Sequence, residues 1–180
     1  MKGNHRTIYQ SRVETPLGMM IAGATDEGVC LLEFTERKIL EAQWAGLRRL
    51  LKATVTEGTH PHFSLLQQEL EAYFAGELHT FTVPLHMPGT DFQQAVWRLL
   101  LTVPYGDVRS YKQQATLLQR PDAVRAVGHA NGMNRISVIV PCHRIVAGNG
   151  HLTGYGGGIW RKEWLLAHES RHQKKLNNIG

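Results

Sequence analysis

Ser110 to Asn131 reads SYKQQATLLQRPDAVRAVGHAN, and the punctuation of this stretch decides how the second half of the chain folds. Ser110 can cap a short helix over Tyr111–Leu118. Gln119-Arg120-Pro121-Asp122 is a tight connection, and Ala123–Asn131 forms another short helix. Two short helices joined by a few residues are the skeleton of a helix-turn-helix. On the second of them Ala123, Ala126, Val127 and Ala130 recur at three- and four-residue steps, so they share a face, and all are small. Such a face either packs closely on another helix or approaches a nucleic-acid backbone.

Toward the C-terminus, Ile136-Ser137-Val138-Ile139-Val140 is a β-branched run that predicts a buried strand. Pro141 lacks an N–H and ends its ladder, so Cys142 is expected just past a stiff platform. Asn149–Gly158 is a loop rich in glycine, and Trp160–Glu169 is a final helix. The polar tail after it is expected to fray. Toward the N-terminus, Asp91 can cap a helix to about Leu101, with Phe92, Val96 and Leu100 facing inward. Pro88 and Gly89 lie in a linker-like stretch that marks a domain boundary.

The first half alternates differently. Thr7–Val13, Met19–Ala24 and Val29–Phe34 read as strands separated by the turns Thr15-Pro16-Leu17-Gly18 and Asp26-Glu27-Gly28. Leu40, Trp44, Leu47 and Leu51 predict an amphipathic helix over Glu36–Lys52. Thr54–Phe63 is expected to be a loop, Ser64-Leu65-Leu66-Gln67 the capping-box start of a helix that stops near Gly76, and Phe81–Leu85 a return to the sheet. The fold class is therefore α/β (α+β): a mixed sheet-plus-helix domain over residues 1–88, then a mostly helical domain over 89–170 with a helix-turn-helix and a reactive-cysteine loop, then a tail over 171–180.

Charge divides along the same line. Residues 1–90 carry 8 Lys/Arg against 10 Asp/Glu, a net −2, whereas 91–180 carry 12 against 5, a net +7, so the whole chain's +5 comes from the second half. A basic half fits a polyanion, nucleic acid first. No apolar run approaches membrane-span length and no secretory stretch opens the chain, so a cytoplasmic protein is expected. Cys30 and Cys142 are far apart and expected to be reduced, with Cys30 a small buried hydrophobe. Two thiols cannot build a cysteine-rich zinc site, so no metal and no cofactor are expected.

Pro141-Cys142-His143-Arg144-Ile145-Val146 carries a specific resemblance. With Phe92-Gln93-Gln94-Ala95-Val96-Trp97, Val103-Pro104-Tyr105-Gly106, Ser110-Tyr111, Arg125-Ala126-Val127-Gly128, Ala130-Asn131-Gly132, Asn134, Gly154-Tyr155 and Arg161-Lys162, it closely resembles the O6-alkylguanine-DNA alkyltransferases in both order and spacing. The likeness covers about Gly89 to Glu169; the first half resembles the family only through Thr15-Pro16-Leu17-Gly18 and Tyr73-Phe74-Ala75-Gly76.

The resemblance implies direct repair: an alkyl group moves from guanine O6 to the Cys142 thiolate, irreversibly and once per molecule. A thiol with an ordinary pKa of about 8.5 is mostly protonated at neutral pH, and only the thiolate attacks. His143 is the resembling base, reached through a local turn or a bridging water, and Glu169 the carboxylate behind it. The target base must leave the stack. By resemblance Arg125 replaces it there, Tyr111 turns the phosphate, and Ala123, Ala126, Ala130 and Arg135 meet double-stranded DNA from the minor groove. Tyr155, Gly156, Gly157, Val140 and the hinge-like Asn134 resemble the pocket, and the first domain a ribonuclease H-like fold. A monomer is expected. Arg135 stands where many relatives carry Pro, and Gly156 where some carry Ser. Two rivals remain at this point: a non-catalytic helix-turn-helix regulator or damage sensor, and a cysteine hydrolase.

Overall fold

Period-two alternation at the start of the chain yields an antiparallel meander: β1 (Arg6–Thr15), β2 (Gly18–Thr25) and β3 (Gly28–Phe34). The structure is a computed structural model and describes residues 5–177, with side chains as far as residue 173. It divides into two units, Met1–Gly89 and Thr90–Gly180.

In the N-terminal unit the sheet order is β3-β2-β1-β4, with β4 (Ala53–Glu57) parallel to β1. α1 (Leu40–Leu51) lays Trp44, Leu47 and Leu51 on Ile8, Cys30 and Leu31 to form a core, and Cys30 is a buried free thiol there. β3 is buried throughout, and α2 (Pro61–Phe74) packs against β1, β2 and β3. Gly28 is obligatory: its φ is +154°, and a Cβ would lie 2.6 Å from the Pro84 carbonyl. That carbonyl accepts from Val29 N at 2.8 Å.

Three expectations change in this unit. The stretch from Thr54 is not a loop: Ala53–Glu57 pairs with β1, Val55 opposite Ile8. Its Thr-Val-Thr alternation is a strand signal that the flanking polar residues mask. α2 begins at Pro61, three residues before Ser64, because Pro fits the first helical turn and His60 caps it by accepting from His62 N. Phe81–Leu85 makes only an isolated bridge, Leu85 to Val29.

The C-terminal unit is built from caps. Thr90 and Gln93 close a capping box on α3 (Asp91–Leu100), and Ser110 and Gln113 close another on α4 (Tyr111–Leu117). α5 (Val124–Gly132) completes the helix-turn-helix. Val127 and Ala130 are buried, and the Ala130 carbonyl accepts from Trp97 Nε1 at 2.9 Å, which ties α5 to α3. The two-residue strands β5 (Arg109–Ser110) and β6 (Ile145–Val146) pair in parallel, joining the start of the helix-turn-helix to the end of the cysteine turn.

Ile136–Val140 is buried as its composition requires, but it is a turn and not a strand. Ile139 N bonds back to Ser137 O and Val140 N to Ile136 O, while Val138 takes a φ of 73°. Local bonding satisfies the backbone here in place of a ladder. The last helix, α6 (Ile159–Asn177), runs well past Glu169, so the tail expected to fray is helical through Asn177; residues 178–180 lie outside the described residues. No helix among the described residues is long and apolar enough to cross a membrane.

Candidate active site

Cys142, His143 and Arg144 form one 3-10 turn, entered from Pro141 and closed by β6. A local turn is one of the two arrangements expected there, and within it successive side chains are not forced to opposite faces. Cys142 N donates to Val140 O at 2.8 Å, and Sγ receives Asn134 Nδ2 at 3.3 Å. Asn134 also gives Nδ2 to Val140 O at 2.9 Å and takes Ile136 N on Oδ1 at 2.9 Å. Its amide thus joins the end of α5 to the segment that carries the thiol. A donor aimed at sulfur favours the thiolate.

His143 and Glu169 are both fully buried, with Nε2 and Oε1 2.8 Å apart. Arg144 grips the same carboxylate with Nε on Oε2 and Nη2 on Oε1, each at 2.9 Å, and gives Nη1 to the Val103 carbonyl at 2.7 Å. Burial opposes the charge on Glu169, but His143 and Arg144 outweigh it and hold the carboxyl well below the usual range. Burial pushes His143 below its ordinary value of 6.5; Glu169 pulls the other way, and the Arg144 and Lys162 charges add to the depression. The pair is therefore an ionised carboxylate and a neutral imidazole. An anionic acceptor at Nε2 fixes the proton there, and this leaves Nδ1 as the basic nitrogen. His143 Nδ1 is buried and has no hydrogen-bond partner among the described residues.

Lys162 belongs to the motifs of the resemblance without a role there, yet its charge bears directly on the thiol. It is fully buried on α6, giving Nζ to Ile145 O at 2.6 Å and Thr153 O at 3.0 Å. Burial lowers its pKa and the Cys142 thiolate raises it, so the two groups feel one another. Nothing in the spacing announces this, because a Lys on a terminal helix is ordinarily solvated. Arg144, too, was read only as part of the motif.

The pocket-like residues cluster around the same loop. Tyr111 OH donates to the Thr153 carbonyl at 3.3 Å, and burial raises the Tyr111 pKa, opposed by that bond and reinforced by Cys142. Val140 is buried, Tyr155 half-buried, Gly156 exposed, and the carbonyl of the buried Gly157 accepts from Arg161 Nη1 at 2.8 Å. Arg125 and Ala126 are exposed on α5, and Ala123 is its half-buried N-cap residue. Ala130 is a correction: at 1% exposure it packs inside the unit with Val127 and cannot meet DNA. Its small size serves the close approach of α3 and α5. Arg135 is half-buried with its guanidinium 5.6 Å over the Trp97 ring. Among the described residues no group of three or more His, Cys, Asp or Glu could hold a metal ion.

The comparisons with known proteins now decide the family. The profile of the 6-O-methylguanine DNA methyltransferase DNA binding domain matches residues 91–171, and that of the same family's ribonuclease-like domain matches 8–87. The chain belongs to the 6-O-methylguanine DNA methyltransferase family. A methylated-DNA–protein-cysteine methyltransferase of Mycolicibacterium paratuberculosis is 54% identical over 167 residues, covering 92% of this chain and 94% of that one. A protein of the same name from Mycobacterium bovis is 59% identical over 104 residues, 58% of this chain and 63% of its own length. A crystal structure of Mycobacterium tuberculosis OGT in complex with DNA superposes with a TM-score of 0.78 at 41% identity, covering 91% of this chain and 94% of that one. The mixed sheet followed by a helical unit is thus the architecture of this family, as the sequence led one to expect.

Proposed function

We propose that this family member is a methylated-DNA–protein-cysteine methyltransferase that moves the alkyl group of O6-alkylguanine in duplex DNA onto its own Cys142. The observation that carries the reading is the buried His143, next in sequence to Cys142 and anchored through Nε2 to Glu169 at 2.8 Å, with Nδ1 left without a partner among the described residues. His143 takes the thiol proton, directly or through water, and the Asn134 amide and the Lys162 charge favour the sulfur anion. Sulfur then attacks the alkyl carbon, the carbon–O6 bond breaks with its electron pair going to O6, and the proton returns to the leaving guanine at N1. The thioether is stable, so each molecule acts once.

Delivery of the base falls to the helix-turn-helix. Exposed Arg125 and Ala126 on α5 are suited to a minor-groove approach, with Arg125 filling the gap left by the flipped base. Tyr111 supplies the phosphate contact, Tyr155 and Gly156–Gly157 the pocket wall, and Ala123 and Arg135 flank the DNA face. The two domains divide near residue 88, the first ribonuclease H-like and the second holding DNA and thiol; the protein works as a cytoplasmic monomer without metal or cofactor. A regulator that only binds DNA leaves the buried imidazole and the lysine facing the thiol without a purpose.

The test is a burst experiment. Protein is mixed with excess duplex carrying one O6-methylguanine. One methyl lost from DNA per protein, then no further reaction, supports single use. Continued turnover overturns it, and binding without any methyl loss favours the regulator.

A further inference from the structure

Asn131 buries its amide near the end of α5. It is 7% exposed, and both Nδ2 and Oδ1 are enclosed without a hydrogen-bond partner among the described residues. An unmet buried polar group is costly, and such groups persist where function employs them.

Its position says what the use is. Gly128, one helical turn earlier on the same face of α5, lies against Tyr111: a Cβ there would sit 3.8 Å from the ring. Three residues later, Asn134 donates its backbone N–H to the Asn131 carbonyl at 3.1 Å and its side-chain amide to Cys142 Sγ at 3.3 Å. Along the chain Asn131 therefore lies between the residue that meets the Tyr111 ring and the residue that meets the thiol. The loop that carries Tyr155 is tethered beside them through the Thr153 carbonyl, which Tyr111 OH holds at 3.3 Å and Lys162 at 3.0 Å.

We propose that Asn131 reads the hydrogen-bonding edge of the flipped base, and that its amide becomes reachable when Tyr111 exchanges the Thr153 carbonyl for a DNA phosphate. The inference rests on the alkyl-transfer reading of Cys142. An O6-alkylated guanine alternates ring-nitrogen acceptors with an exocyclic amine donor. A primary amide offers a donor and an acceptor side by side, so it meets both at once. A base without the amine satisfies only half of it. Asn131 is thus a specificity-determining residue that favours the amino-purine.

The experiment compares two duplexes, one with O6-methylguanine and one with O6-methylhypoxanthine, which lacks only the amine. Single-turnover rates are measured for the wild type and Asn131→Leu, with thermal melting of both. Asn131→Ser, smaller and still polar, gives the same comparison if leucine does not fit. The expected result is a wild-type preference for the guanine substrate and a loss of about 10-fold on it in Asn131→Leu. The preference should narrow toward one, with a melting temperature unchanged or higher because an unmet amide is gone. A lower melting temperature with the preference intact assigns Asn131 to structure and overturns the inference, as do rates equal to wild type. Transfer by the wild type with an unaltered preference in the variant removes this inference alone; no transfer by the wild type on either duplex removes the alkyl-transfer reading with it.

Discussion

Glu33 in the N-terminal unit and Glu169 in the C-terminal unit are both fully buried, and both face an arginine. Glu33 pairs with Arg37, takes Gln43 Nε2 at 3.2 Å and accepts from Phe34 N at 3.0 Å. Glu169 takes Arg144 twice, Gly106 N at 3.4 Å, and His143. The electrostatic device is the same, a desolvated carboxylate repaid by a guanidinium and amides. The histidine separates them. Glu33 holds a guanidinium and amides, whereas Glu169 orients an imidazole whose other nitrogen faces outward from the pair. A buried carboxylate alone therefore says little about chemistry; what its partner has left to give says much.

The comparison can be broken by substitution. The largest effect belongs to His143→Ala, which should slow methyl transfer by about 100-fold or more in a single-turnover assay. A rate within a few-fold of wild type would remove the base from the mechanism. Glu33→Gln and Glu169→Gln should each cost roughly 3–5 kcal/mol in denaturant unfolding, since each leaves a buried guanidinium without its counter-charge. Only Glu169→Gln should also change the pH dependence of transfer; a matching change in Glu33→Gln would erase the distinction.

Lys162→Met separates charge from packing. Without the cation the Cys142 thiolate loses support, so the rising limb of the pH–rate profile should move up by about one unit. An unmoved limb would show that Lys162 only supports the loop through Ile145 and Thr153. Acid provides a gentler probe. The His143 pKa is depressed in the folded protein, so the unfolded chain binds the extra proton first as pH falls. Stability should then decline as pH drops below 6.5, and transfer should persist until His143 itself protonates at lower pH. Smallest of all, Arg6→Ala should leave stability and transfer unchanged, because the Arg6–Glu27 pair is more than half exposed on both sides.

Some of this was legible in the sequence. Ser110 and its Gln113 specify the start of α4 through local bonds alone, and Pro141 to Arg144 name the chemistry by residue type. The composition of Ile136–Val140 predicts a buried strand, and the run is a buried turn. Composition reports burial, and a buried turn has the composition of a buried strand. β4 was hidden by the polar residues around Val55, whose partner Ile8 lies far away in sequence. Ala130 misled for a similar reason, since small residues at helical spacing suit a helix neighbour and a DNA groove equally. Lys162 and Asn131 belong to the motifs of the resemblance but carry no role there: a cation and an amide on helices are surface residues by default, and only the fold shows that both are enclosed.

A labelled methyl group shows where it goes. The protein is reacted with a duplex whose O6-methylguanine carries a labelled methyl, then digested, and the label is mapped by mass spectrometry. Label confined to the peptide containing Cys142, and absent from Cys142→Ala, is the expected result. Label on the Cys30 peptide, or none on the protein while the DNA loses its methyl, would contradict it.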